Sequence, residues 1–494
     1  MLLSNTEIDQ KLNSILTELG REKYLVNPYF RISKATPEQM YRYRDLNYRF
    51  QRIRIVLYLL ASIPINIGKI FLFIFFSFIF MNQNRILSKF IDKAEYIFLS
   101  HGIGENISQR GTDQFFGVMP AYLSGKKRSV TMIYTNHYRI SYKKYAKLTL
   151  LNNDGITRNL MPKFLKPTEN LSYLKNIVPT SFACLIKGLK IFGTDPVSAY
   201  LLIKGSVLFY GRATYSNYLL MKRVQLRIDR SKPKYIVLTF EGHSYEQYLI
   251  ENISINYPEI NLVLYQHSPI VPDHYGVKSF LRSYKNKIVI MTTGNKYIDV
   301  FSEISSIPVY KLVGSSKALA SASAASRNPG NIALFAPEGT ISATSEYLKL
   351  IRYLCDRMPT FNFRLRLHPN LKRGVLINIQ IRLLNFKHNF SLSSNNLYSD
   401  LEECKYVFYR SSAVGVESLP FNATPIFYGN SGESGLNVLS YSLVDQSLLD
   451  TPDKILVFLD LNTVSVSKNA KMKIYTELFE LVKFSELNEI FNVS

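Results

Sequence analysis

Short apolar runs alternate with stretches of helical periodicity along the chain from residue 95 onward. Runs that are apolar throughout and bounded by polar turns are typical of strands buried on both faces of a parallel sheet. Strands are predicted at residues 96–100, 129–134, 234–240, 261–266, 288–292, 309–313, 331–339, 361–367, 406–409 and 425–428. Helices are predicted at residues 243–253, 296–304, 345–358 and 474–490, and the type of 142–151 and 182–192 is left open. This alternation predicts an α/β fold.

The alternation is interrupted at residues 315–330, a Ser- and Ala-rich stretch that ends in Asn-Pro-Gly. Such a composition is typical of a linker, and 494 residues exceed what one core ordinarily holds. The prediction is an N-terminal segment (residues 1–90), a Rossmann-like domain (91–314), the linker, and a second Rossmann-like domain (331–494). A ligand would bind between the two domains, outside the carboxyl ends of the strands.

The N-terminal segment contains an apolar stretch at residues 55–81 that is interrupted by Pro64, Asn66 and Lys69. Its halves, of roughly a dozen residues each, are too short to span a bilayer, which takes about 20 residues. Both flanks are basic and prefer the cytoplasmic side, which favours a hairpin lying on the membrane over a single span or a hairpin buried in the protein. Because the first 50 residues are polar, no cleavable signal peptide is expected. The expected location is cytoplasmic, peripheral or monotopic at the inner face of the cytoplasmic membrane.

The chain carries a formal net charge of +23, with the basic residues spread along its length. A surface of this sign attracts phosphates, acidic glycans and anionic lipid. No nucleic-acid-binding motif is present, so anionic substrates and an anionic membrane surface are the expected partners, and nucleic acid is not. The three cysteines, Cys184, Cys355 and Cys404, match no metal-ligand spacing, which favours buried thiols in a reducing compartment.

Polar residues are concentrated where five of the predicted strands end. Since the carboxyl ends of parallel strands meet at one edge of a sheet, these groups should converge on the predicted cleft. The five signatures are Phe240-Glu241-Gly242, Tyr265-Gln266-His267-Ser268, Ala336-Pro337-Glu338-Gly339-Thr340, Leu367-His368-Pro369-Asn370 and Tyr409-Arg410-Ser411-Ser412.

Two of these signatures suit phosphate binding. His368 follows a strand and precedes Pro369, so its imidazole can donate a hydrogen bond to a phosphate oxygen and stabilise the charge on a departing nucleotide. Ser411 and Ser412 open a short helix, where hydroxyls and free backbone N–H groups can bind an anion. The alternatives are a histidine before a turn and serines that only cap a helix.

The remaining candidates are strand-end residues with less specific chemistry. Glu241 precedes Gly242, and a carboxylate there can accept the proton of an acceptor hydroxyl as a general base. Further candidates for the nucleotide side are Glu338, Gly339, Thr340 and Glu417, and those for the acceptor side are Gln266, His267 and His101. Each has a purely structural alternative. No Asp-x-Asp triplet or His, Cys and carboxylate cluster has metal-ligand spacing, so no metal and no other cofactor is expected.

Three motifs, in their order along the chain, resemble a known family. Phe240-Glu241-Gly242, His368-Pro369 and Ser411-Ser412 resemble the motif set of bacterial sialyltransferases and related Kdo-type ulosonic-acid transferases of the GT-B fold. Residues 96–437 also resemble bacterial surface-carbohydrate (capsule, O-antigen and lipopolysaccharide) biosynthesis proteins. One position departs from the pattern, since Phe240 stands where the family has an acidic residue.

The resemblance implies a GT-B-like pair of Rossmann-like parallel-sheet domains and an inverting, metal-independent transfer from a CMP-activated sugar. It implies that Glu241 is the general base and that His368, Ser411 and Ser412 bind the CMP phosphate. The expected function is transfer of an acidic nonulosonic or related sugar onto a bacterial surface glycan or its lipid-linked precursor. Two alternatives stay open: a transferase with a UDP-sugar, GDP-sugar or polyol-phosphate donor, and a non-catalytic nucleotide- or glycan-binding assembly protein.

Overall fold

The computed structural model describes most of the chain beyond residue 93. The described residues are 94–101, 113–135, 154–160, 167–272, 274–318, 330–368, 371, 375–386, 388–429, 436–440, 449–461 and 467–493, with the single residues 14, 64, 68, 71, 72 and 75. Apart from five of these single residues, the apolar stretch at 55–81 lies outside the described residues. So do residues 142–151 and most of the predicted linker.

The first domain is built on a parallel sheet of seven strands. They are β1 (Tyr96–His101), β2 (Val130–Thr135), β3 (Ile156–Leu160), β4 (Tyr235–Thr239), β5 (Asn261–Tyr265), β6 (Val289–Thr292) and β7 (Val309–Leu312). The strand order is β3-β2-β1-β4-β5-β6-β7, and every pairing is parallel. The sheet confirms the strands predicted in this half of the chain and adds β3.

Both faces of this sheet are buried, because successive side chains of a strand point to opposite faces. Ile97 and Leu99 of β1 pack in one apolar cluster with Val224, whereas Phe98 packs in a second cluster with Met119. The covering helices are α1 (Met119–Gly125), α2 (Pro167–Ile191), α3 (Pro196–Leu208), α4 (Arg212–Ser231), α5 (Ser244–Asn256), α6 (Tyr275–Ser283) and α7 (Asn295–Ser302).

The second domain contains a parallel sheet of five strands. They are β8 (Ile332–Ala336), β9 (Asn362–Leu365), β10 (Phe390–Leu392), β11 (Tyr406–Tyr409) and β12 (Thr424–Phe427), in the order β10-β9-β8-β11-β12. Its helices are α8 (Ile341–Arg357), α9 (Val375–Leu383), α10 (Leu397–Glu403), α11 (Val414–Glu417) and α12 (Pro452–Leu461).

The two sheets share one strand order. In each, the first strand of the domain is flanked by the second on one side and the fourth on the other. The chain therefore winds in opposite directions from the pairs β1/β4 and β8/β11, and a crevice opens there at the carboxyl ends of the strands. The predicted fold class, two Rossmann-like parallel-sheet domains in a GT-B-like protein, is confirmed.

The C-terminal residues return to the first sheet. They form α13 (Lys468–Leu478) and α14 (Phe484–Phe491), where the sequence predicted one helix at 474–490. The Tyr96 hydroxyl donates to the Phe491 carbonyl at 3.0 Å, and Asn492 Nδ2 donates to the Tyr235 hydroxyl at 2.9 Å. α14 and Asn492 thus pack on the first domain, although the sequence assigned residues 331–494 to the second, because an amphipathic pattern does not specify which sheet a helix covers. Lys471 of α13 donates to the Ala423 carbonyl of the second domain at 3.0 Å.

Candidate functional site

Glu241 lies two residues after β4, at the switch point of the first sheet. Its Oε2 is 2.9 Å from Nε2 of His243, and its Oε1 accepts a hydrogen bond from the Ser268 hydroxyl. His267 Nε2 lies 3.7 Å from the same Oε1. With the side chain only 17% exposed, both carboxylate oxygens are held in fixed directions at the edge of the sheet.

The glycine after Glu241 is required by the backbone. Gly242 has φ +71°, and a Cβ on it would lie 2.3 Å from the backbone nitrogen of Val277. The amide of Gln247 joins this turn to the start of α6, since its Nε2 donates to the carbonyls of Gly242 (3.0 Å) and Gly276 (3.3 Å). The Glu-Gly pair of the motif therefore marks a place where the α6 backbone approaches the turn closely.

A second carboxylate, that of Glu246, accepts hydrogen bonds from the backbone of this turn. It is fully buried and accepts the backbone N–H groups of Glu241 and His243, both at 2.9 Å, and the hydroxyls of Thr239 and Tyr245. Burial raises the pKa of Glu246. The sequence interpretation missed this residue, although a glutamate three residues after the N-cap His243 is the spacing of a capping box.

The predicted acceptor-side residues differ in their surroundings. Gln266 is fully buried, and its Oε1 accepts the backbone N–H (3.1 Å) and the hydroxyl (3.2 Å) of Thr293. It therefore joins the ends of β5 and β6. His267 lies beside Glu241 and packs edge-on against the ring of Phe115, with the ring centroids 4.9 Å apart.

A buried acid, Asp113, is hydrogen-bonded to the end of β1 at this edge of the sheet. His101 is the last residue of β1, and its side chain is outside the described set. The hydroxyl of Ser100 donates to the carboxylate of Asp113 at 3.0 Å, which also accepts the N–H groups of Phe115 and Phe116 at 2.8 Å. Burial raises the pKa of Asp113. The sequence interpretation did not single out Asp113, because its distance along the chain from β1 matches no recognised motif.

An ion pair spans the switch point of the second sheet. Glu338 follows β8 and Arg410 follows β11, and Arg410 Nε lies 3.2 Å from Glu338 Oε1. A terminal nitrogen of Arg410 contacts Glu346 Oε2 at 2.9 Å, and the guanidinium lies 5.9 Å from the centroid of the Tyr347 ring. Glu338 is therefore paired with a buried arginine, Arg410, which the sequence interpretation did not single out as a candidate.

His368 and Gly339 are brought together from neighbouring strand ends. A Cβ on Gly339 would lie 2.6 Å from His368 Nδ1, so the glycine lies against the imidazole ring. Burial lowers the pKa of His368, which favours the neutral imidazole at neutral pH. Thr340 caps α8, since its hydroxyl accepts the N–H of Ala343 at 3.2 Å.

The Ser-Ser motif follows β11, the neighbour of β8 in the sheet. Ser411 and Ser412 are partly exposed between β11 and α11, and the Ser412 hydroxyl accepts the N–H of Val414 at 3.4 Å. Glu417, at the end of α11, is paired with Lys317, whose Nζ lies 2.6 Å from Oε1. Glu417 thus binds the segment that follows the first domain.

The carboxyl edges of both sheets contact the region around α13. The Thr293 hydroxyl, after β6, donates to the Leu478 carbonyl at 2.9 Å. Lys317, which precedes the second sheet and pairs with Glu417, accepts at its carbonyl a hydrogen bond from the Tyr475 hydroxyl at 3.3 Å. α13 therefore contacts the end of β6 directly and the helix after β11 through Lys317.

Three further features of the described residues concern metal-binding groups, membrane-spanning helices and the state of the cysteines. Within them, no group of three or more His, Cys, Asp or Glu side chains is positioned to hold a metal ion. Nor does this part of the chain contain a helix with the length and apolar character needed to cross a bilayer. Cys184, Cys355 and Cys404 are buried free thiols, as predicted.

No protein-family model and no curated protein sequence matches the chain. Among solved structures, it is similar to a glycosyltransferase from Rickettsia africae at 11% identity and a TM-score of 0.42, with 81% of this chain and 96% of that chain covered. It is also similar to the trehalose-6-phosphate phosphatase N-terminal domain of Candida albicans, at 10% identity and a TM-score of 0.46, with 79% and 93% covered. A UDP-GlcNAc 2-epimerase from Methanocaldococcus jannaschii has 9% identity and a TM-score of 0.45, with 77% and 98% covered. At these identities, none of them assigns a substrate or an activity to this chain.

Proposed function

We propose that this protein is a glycosyltransferase that moves a sugar from a nucleotide donor onto a surface glycan or its lipid-linked precursor. The observation that carries the proposal is the pairing of two switch-point edges. One holds the fixed carboxylate of Glu241, and the other holds His368 against Gly339 after β8, with Ser411 and Ser412 following the next strand, β11. Ligands of doubly wound folds bind at such edges.

Glu241 is the general base of the proposed reaction. As the acceptor oxygen attacks the anomeric carbon, the bond from that carbon to the donor phosphate breaks and the acceptor proton passes to the carboxylate. Hydrogen bonds from His243 and Ser268 orient Glu241, and His267 lines the acceptor side. Attack on the face opposite the leaving phosphate gives inversion.

The donor phosphate binds the second edge. A neutral His368 donates one ring N–H to a phosphate oxygen, and Ser411 and Ser412 donate their hydroxyls. Because Glu338 pairs with Arg410 and Glu417 with Lys317, we assign these carboxylates to shaping the edge and not to binding ribose. The motif order favours CMP as the donor nucleotide, and the net charge of +23 suits an anionic donor and acceptor.

The test uses the purified full chain with CMP-, UDP- and GDP-sugars in excess EDTA. A nucleotide that binds only the folded state raises the thermal midpoint, which identifies the donor class, and transfer and donor hydrolysis are then measured with it. We expect Glu241→Gln to abolish turnover with near-normal nucleotide binding and His368→Ala to weaken nucleotide binding. Glu303→Gln, at an exposed site after α7, is the matched control.

Four results would contradict the proposal in different ways. Unchanged turnover in Glu241→Gln would remove the base assignment, and complete loss of activity in EDTA would indicate a metal-dependent transfer. A thermal shift with UDP or GDP derivatives alone would replace the CMP donor. Nucleotide binding with neither hydrolysis nor transfer would indicate a non-catalytic binding protein.

A further inference from the structure

One face of α2 carries a row of exposed apolar side chains. Leu171, Val178, Phe182, Ile186 and Leu189 are 62%, 44%, 60%, 38% and 55% exposed. They are separated by seven, four, four and three residues, so they lie on one side of a helix with 3.6 residues per turn and extend for about 27 Å. We call these five residues the α2 stripe. Single exposed apolar residues are ordinary, whereas a continuous row of this length marks an interaction surface.

The opposite face of α2 is firmly packed, which fixes the direction of the stripe. Tyr173, Ile177 and Cys184 are buried, and the Tyr173 hydroxyl donates to the Phe209 carbonyl at 2.7 Å. A Cβ on Gly188 would lie 2.8 Å from a side-chain carbon of Ile203 in α3. Rotation of α2 to bury the stripe would break these contacts, so the stripe can be covered only from outside.

The charges around the stripe indicate the chemistry of its partner. Lys175 and Lys190 are exposed along the helix, and the sole carboxylate of α2, Glu169, is paired with the guanidinium of Arg223 at 2.9 Å. An apolar face bordered by lysines fits the interface of an anionic bilayer, where acyl chains take the apolar residues and headgroups take the lysines.

The same charges disfavour the other possible occupants. A second copy of the chain would bring a net charge of +23 against another +23. The apolar stretch of this chain at residues 55–81 has arginines and lysines on both flanks, which would be repelled by Lys175 and Lys190. We therefore propose that the α2 stripe docks on an anionic lipid surface and lies in the interface without spanning the membrane.

Docking by α2 would bring the edge that carries Glu241 close to the lipid. The Tyr215 hydroxyl of α4 donates to Asn170 of α2 at 2.9 Å, and Asn217 of α4 contacts the hydroxyl of Ser244 at 3.3 Å. Ser244 begins the helix that follows the Glu241 turn, so only α4 separates the start of α2 from that turn. This consequence rests on the proposed function, in which a lipid-linked acceptor would be presented at this edge.

The test exploits the absence of tryptophan from the sequence. Phe182→Trp introduces the sole tryptophan of the chain in the centre of the stripe, and its emission can be excited selectively over that of the tyrosines. The matched control is Leu383→Trp, at a 78% exposed apolar position on α9 of the second domain. Each full-length variant is mixed with phosphatidylcholine vesicles, with or without phosphatidylglycerol, and with brominated acyl chains as quenchers. A local signal is needed because residues 55–81 could hold the protein on vesicles independently of α2.

We expect the emission of Phe182→Trp to shift to shorter wavelength and to be quenched by the brominated chains on phosphatidylglycerol vesicles only. Leu383→Trp should not respond. Adding Leu171→Ser and Leu189→Ser to the Phe182→Trp background should raise the lipid concentration at half-response about tenfold or more, since each substitution removes an apolar side chain from the interface.

Four outcomes would overturn the proposal. Emission already at short wavelength without vesicles would indicate that another part of the chain covers the stripe, and emission that depends on protein concentration would indicate a second copy. No response to lipid, or an equal response from Leu383→Trp, would remove the specific role of α2. None of these measurements requires a sugar donor, so an inactive protein that responds to lipid contradicts only the proposed function.

Discussion

The guanidinium of Arg410 and the carboxylate of Glu338 form a buried ion pair that joins the carboxyl ends of β11 and β8, with 3.2 Å between Nε and Oε1. Arg410 is only 1% exposed, and Glu346 provides its second carboxylate contact at 2.9 Å. Because a buried charge without a partner is strongly unfavourable, this pair holds together the ends of the two strands that the Glu-Gly-Thr and Ser-Ser motifs follow.

We expect Arg410→Met to lower the free energy of unfolding by about 3 kcal/mol, because it leaves the carboxylate of Glu338 buried without its partner. Urea denaturation of the full chain measures the loss. Arg352→Met is the matched control, since Arg352 is partly exposed, pairs with Asp356 at 3.5 Å and donates to the Asn385 carbonyl at 2.9 Å, and contacts of this kind near the surface contribute about 1 kcal/mol or less. Equal losses in the two variants would show that the Arg410 pair has no special role.

Gly242→Ala should destabilise the first domain by about 2 kcal/mol and reduce turnover sharply. The residue has φ +71°, and the new Cβ would lie 2.3 Å from the Val277 nitrogen, so the Glu241 turn or α6 has to move. Nucleotide affinity, which depends on the other domain in the proposal, should stay close to normal. Gly193→Ala is the control because its Cβ would enter open space. A Gly242→Ala protein with full turnover would contradict the importance of this turn.

Gly339→Ala should weaken nucleotide binding roughly tenfold with a small effect on stability. Its Cβ would lie 2.6 Å from Nδ1 of His368, so the imidazole has to swing away and a hydrogen bond to a charged phosphate is lost. Calorimetric titration with the nucleotide measures this change. At Gly330 the nearest atom to an added Cβ is 3.4 Å away, and Gly330→Ala should bind normally. Equal affinity in the Gly339 and Gly330 variants would argue against phosphate binding by His368.

The partly buried imidazole of His368 predicts a pH dependence of stability. Burial lowers its pKa below the ordinary value of 6.5, so the unfolded chain takes up the proton first as the pH falls. The contribution of His368 to stability is therefore present above about pH 6.5 and is lost as the pH falls through the lowered pKa of the folded state. The difference in unfolding free energy between the native chain and His368→Gln should shrink across this range.

A control at exposed His388 separates this effect from the loss of any histidine. His388→Gln measured over the same pH range gives the baseline. If the difference in unfolding free energy between the native chain and His368→Gln stayed constant with pH, His368 would have the same pKa in the folded and unfolded states. That result would contradict a pKa lowered by burial.

Most strands could be predicted because their apolar runs are local signals. β4, β5 and β11 lie within a residue or two of their predicted limits. β10 was missed because it has only three residues, and α6 was not among the predicted helices. The pattern at 182–192 did not reveal that α2 begins at Pro167 or that α3 follows it. α3 is apolar on most sides and packs against α2, so it lacks the one-sided periodicity by which helices are recognised.

The sequence by itself determined which residues stand at the ends of the strands, because a strand and the turn after it are encoded by neighbouring positions. Glu241, His368 and the two serines could therefore be selected as candidates before the structure. Only the tertiary structure decided which polar groups are paired. Glu338 and Arg410 are 72 residues apart, and Lys317 and Glu417 are 100 apart. Such pairs form when parallel strands and separate domains meet, and no local pattern contains that information.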